Sequence, residues 1–181
     1  SLADFAETFL GCTSPRSWAD AYLRMANSMP TVETRNEMWT LAMGEGPELR
    51  SPEEYALRVC EWTEIETTLR ACSPDVQRNG ETQDSLLLLV QLMLHLNERA
   101  GLLALPPDRL MDQQPRLTRL LQREEELLDT ISSLWDRERY PDDPKKWKPE
   151  DPFGENQHLF ALLKKAFGQT KDRADIGSYH M

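Results

Sequence analysis

The sequence predicts an all-α fold, an irregular bundle of six to seven helices around a buried central helix at about residues 84–100. Three observations predict it. Apolar residues recur at three- and four-residue spacing in segment after segment, the signature of one-sided helices. Ser-Pro pairs stand where such runs begin, and proline is tolerated at the first helical position because its missing N–H has no partner there anyway. One run, "LLLLVQLMLHL", is apolar nearly all round, which suits a helix surrounded by others.

The first run, "LADFAETFL", puts Leu2, Phe5, Ala6, Phe9 and Leu10 on one stripe and ends at Gly11. The second, "SPRSWADAYLRMANSM", has Ser14 as N-cap, Pro15 at the first position and a face of Trp18, Ala21, Tyr22, Met25 and Met29, stopped by Pro30. "VETRNEMWTLAM" offers Met38, Trp39, Leu41 and Ala42 before "GEGP" breaks it. In "SPEEYALRVCEWTEIETTLRAC", Ser51, Pro52 and Glu54 make a capping box, and Tyr55, Val59, Trp62, Ile65 and Leu69 form the face. "SPDV" at Ser73 reads as a turn. The central helix follows, with Gly101 as its expected stop. Prolines in "LLALPPDRLMDQQP" prevent a simple continuation. A long helix over about 115–139 carries Leu117, Leu120, Leu121, Leu127, Leu128, Ile131, Leu134 and Trp135, with the stripe interrupted at Glu124.

The chemistry changes beyond this point. Residues 140–154, "YPDDPKKWKPEDPFG", contain four prolines and the first lysines of the chain, since all 14 basic residues before them are arginine. Each proline removes a donor and biases its predecessor toward extended geometry, so this strap is not helical. "GENQHLFALLKKAFG" resumes as a short amphipathic helix with Leu159, Phe160, Leu163 and Phe167 as its stripe and Gly168 as its stop. The expected organisation is a helical bundle domain over 1–139 and, over 140–181, a Pro-rich strap, a C-terminal docking helix and a frayed tail.

At 181 residues, 39% hydrophobic and 29% charged, the chain can bury a real core. Its net charge is −10, with 24 acidic against 14 basic residues up to Tyr140 and seven of each beyond. Binding to a phosphate backbone needs clustered Lys and Arg, so nucleic acid is an unlikely partner, a local patch of Arg116, Arg119, Arg123, Arg137 and Arg139 being the one route to it. The apolar run is interrupted by Gln91 and His95 and is short for a span, so no membrane is expected. Three cysteines without C-x-x-C spacing suit free thiols, and the first residues show no secretory signal pattern; an intracellular, cytoplasmic protein is expected.

Catalytic sets are missing. "ENQH" (Glu155 to His158) is one half of a di-metal pattern whose other half is absent. No Gly-rich phosphate loop occurs, and three histidines provide no nucleophile triad. Glu61, Glu64, Glu66 and the block Glu124–Glu126 read as a solvated acidic face. The chain is therefore expected to be no enzyme, with no cofactor and no metal. The expected function is a protein–protein interaction module, of adaptor, chaperone-like or assembly type. Its partner-binding residues are Trp147, Phe153, Phe160, Leu163 and Phe167, which fill the chain's own groove, a second copy's or another protein's. A helix of this length does not persist alone in water and must be bound when ordered. The alternative is a bundle holding a small ligand or metal near His95.

Overall fold

Ser1 and Ser51 each start a helix in the same way. The hydroxyl accepts the amide three residues on (Asp4 or Glu54), and that residue's carboxylate accepts from the serine's own nitrogen. The computed structural model describes residues 1–29, 31–32, 35–42, 49–139, 167–168 and 170. Within them lie α1 (Leu2–Thr8), α2 (Pro15–Asn27), α3 (Glu37–Ala42), α4 (Pro52–Cys72), α5 (Gly80–Leu103), α6 (Pro107–Met111) and α7 (Gln114–Arg139). The fold is all-α. A minimal antiparallel ladder, Thr31–Val32 with Arg35–Asn36, precedes α3 and shortens the helix expected there.

The helix α5 is the hub. From Leu92 to Asn97 every residue is buried, because α4 covers one side and α3 and α7 pack on others. By length and composition α5 could cross a membrane. Here 61% of that apolar stretch is buried against neighbouring helices. Met93 and Leu96 are fully enclosed, and Tyr55, Trp62, Ile65 and Leu69 of α4 supply the facing layer. Trp18 and Met25 of α2 close the third side against α4. A second, smaller cluster of Leu102, Leu110, Leu117 and Leu120 pins α6 to the start of α7.

Two expected stops are not stops. Gly101 lies inside α5, two residues before its end, where a Cβ would stand 2.9 Å from Cβ of Tyr55. Its role is close approach of α4 to α5, which the absence of a side chain permits. Gly168 is helical, and so is Thr170 beyond it. The start of α5 differs too. Asn79, at φ 50°, turns the chain in the left-handed region, and its side chain donates to the Phe9 carbonyl at 2.7 Å, closing the end of α1.

Candidate functional site

The interruption of the α7 stripe has a partner. Glu124 is buried, and its Oε1 stands 3.3 Å from Nε2 of His95, which is fully enclosed on α5. One turn further along α5 is Arg99, 1% exposed, whose Nε donates to the Thr170 hydroxyl at 2.8 Å. Thr170 in turn donates to the Glu124 carboxyl. The rings of Phe167 and His95 stand nearly perpendicular, centroids 5.1 Å apart at 80°. The result is a polar seam between α5 and α7, closed over by Phe167 and Thr170.

Burial governs the electrostatics. It pushes His95 down to about 3, assisted by the positive charges of Arg123 and Arg99. It pushes Glu124 up to about 8, against the pull of the Thr170 hydrogen bond and of Arg99. Arg99 is lowered by burial and held up by Glu124. Between those two values His95 and Glu124 are a neutral pair sharing one hydrogen bond, and Nδ1 of His95 has no partner among the described residues.

A second polar cluster ties α2, α3 and α4 together. Glu37, fully buried at the start of α3, accepts from Arg50 at 2.5 Å and from Arg58 at 2.6 Å, one guanidinium on each oxygen. Arg58 also donates to the Ser28 carbonyl and to Glu61, which accepts the Ser28 hydroxyl. Both oxygens of Glu37 are occupied, so the cluster reads as a clamp rather than an open anion or cation site. A third bridge runs from Trp18 Nε1 to Gln83 Oε1 at 2.8 Å, with Gln83 Nε2 donating to the Leu69 carbonyl at 2.8 Å. The half-buried start of α5 borders a groove of about 460 Å³ lined by Arg70, Asp84, Leu87, Leu88, Gln91 and Thr130 among others.

Of the residues expected to bind a partner, Phe167 is 4% exposed and belongs to the main core cluster. Trp147, Phe153, Phe160 and Leu163 lie outside the described residues, as do the strap, Glu155, His158 and His180. Trp18 and Trp62 are core; Trp39 and Trp135 lie outside the described side chains. Among the expected solvated carboxylates, Glu125 and Glu126 are exposed but Glu124 is not, a correction that follows from its place on the apolar face of α7. Glu64 pairs with Arg24, and Glu66 with Arg70. Arg116 is engaged by Glu98 at 3.5 Å. Among the described residues no group of three or more His, Cys, Asp or Glu is placed to hold a metal ion. Arg99, Thr170, Glu37 and Gln83 were not singled out by the sequence. The signal for Arg99 was its place one turn after His95, and for Thr170 its place three residues after Phe167.

Comparison with protein-family models, with curated proteins and with solved structures finds no match.

Proposed function

We propose that the chain is a non-enzymatic interaction module, an adaptor, chaperone-like or assembly protein whose C-terminal arm fills a groove in its own body or in a partner. The observation that carries this reading is the seat of Phe167 and Thr170. A residue 71 positions away in sequence, Arg99, meets Thr170 through a buried side-chain hydrogen bond, so Thr170 is received by the body rather than merely attached to it. The acidic body and the neutral, lysine-bearing arm support the same reading, as does the engagement of the buried charged side chains by structural partners.

Cross-linking of the full chain in its native extract, repeated with Phe167→Ala/Thr170→Val, tests it. A defined partner whose capture changes in the variant is the expected result. A strict monomer that turns over a substrate rejects the reading. The buried Nδ1 of His95, without a hydrogen-bond partner among the described residues, favours a second reading, a small ligand or metal held there. Metal analysis and thermal shift against ligand sets test that; no bound species and no shift remove it.

A further inference from the structure

The seam between α5 and α7 has the chemistry of a reading pocket. Its apolar half is the His95 ring, met by Phe167 in a T-shaped contact. Its polar half is a guanidinium and a carboxyl on opposite helices, Arg99 and Glu124, both buried. Between a donor and a carboxyl oxygen the simplest filler is a hydroxyl, which accepts from one and donates to the other through a single atom. Thr170 does both. Phe167 and Thr170 are spaced i, i+3, so one helical turn presents both to the same wall. The flanking sequence carries Lys164, Lys165 and Lys171, opposite in sign to the acidic body.

Resting on the reading of the chain as an interaction module, we propose that this pocket recognises a basic helical segment bearing an aromatic residue and, three residues on, a serine or threonine. The chain's own Phe167 and Thr170 occupy it as an internal competitor, and the exchange partner is a segment of another protein with the same pattern. Specificity comes from the polar half. An occupant without the hydroxyl leaves the Arg99 Nε–H without its acceptor and Glu124 without its donor in a site closed to water, which costs about tenfold or more in affinity.

The test uses the full chain and a labelled synthetic peptide of residues 155–173, read by fluorescence anisotropy. The Phe167→Ala/Thr170→Val chain, with its internal competitor weakened, should bind the peptide at least about tenfold more tightly than the wild type. Peptides carrying Thr170→Val or Phe167→Ala should bind that chain about tenfold less tightly than the native peptide. Absence of binding, or equal binding of all three peptides, overturns the proposal. Hydrogen exchange on the wild-type chain gives a measurement free of receptor variants. Saturating peptide should strip protection from amides 167–170, and unchanged protection overturns the proposal. A wild-type dimer made monomeric by the double substitution would assign the pocket to a second copy and overturn the assignment to a foreign segment. Peptide binding without any captured partner would leave the pocket assigned and sink only the interaction-module reading. Partner capture that the peptide does not compete would sink the pocket alone.

Discussion

His95 and Glu124 face each other across the α5–α7 seam with 3.3 Å between Nε2 and Oε1, and burial drives their protonation in opposite directions, down to about 3 and up to about 8. Stability should record both. The depressed histidine stabilises above its ordinary 6.5 and loses that contribution as pH falls toward 3. The raised carboxyl stabilises below its ordinary 4.5 and loses that contribution as pH rises through 8. The two slopes cancel between 4.5 and 6.5, so this pair gives a plateau there with a fall on each side. From pH 6.5 to 8 the loss should approach about 1.4 kcal/mol per unit. Among the described residues, Arg99, Arg123 and Thr170 are the other polar groups acting on the pair. Glu124→Gln removes the carboxyl proton while keeping an acceptor for Thr170, so denaturant unfolding measured against pH should lose its alkaline limb. An alkaline limb that survives the substitution would place its origin elsewhere.

Glu37 is fully buried between two part-buried guanidiniums, and removing it leaves them facing each other. Glu37→Ala should cost about 3 kcal/mol in urea unfolding followed by tryptophan fluorescence. Arg24→Ala, which breaks the exposed pair with Glu64, should cost less than about 1 kcal/mol. Equal costs for the two would show that the Glu37 cluster is not a buried clamp.

Glycine substitution separates close approach from helix propensity. Alanine is the better helix former by about 1 kcal/mol. Gly101→Ala should nevertheless destabilise by about 1–3 kcal/mol, because the new Cβ meets the Cβ of Tyr55 at 2.9 Å and neither atom can rotate away. Gly80→Ala meets nothing within 4 Å and should be neutral or stabilising. Thermal unfolding of the two variants decides the matter by its sign.

Thiol titration tests the packing of the first and fourth helices. Cys60 is exposed, whereas Cys12 and Cys72 are buried and burial pushes the Cys72 thiol up. A disulfide reagent should modify one thiol quickly in the native protein and the other two only on unfolding. Two or more fast thiols would mean that the packing around Cys12 or Cys72 opens under native conditions.

The sequence by itself determined the starts and faces of α2 and α4, because what it encodes there is local. The Ser51–Glu54 capping box, the Pro15 and Pro52 starts and the face of Tyr55, Trp62, Ile65 and Leu69 act within a few residues of chain, and they reappear in α2 and α4 with the same residues. It also marked the seam without explaining it: Glu124 interrupted an apolar stripe, and His95 interrupted an apolar run. Only the tertiary structure decided that those interruptions meet, that Arg99 and Thr170 join them, and that Gly101 is a contact rather than an end. Those outcomes depend on which faces of α4, α5 and α7 oppose each other at a given height. That is set by packing volume and by the need to satisfy buried donors and acceptors across tens of residues, information that no local pattern contains.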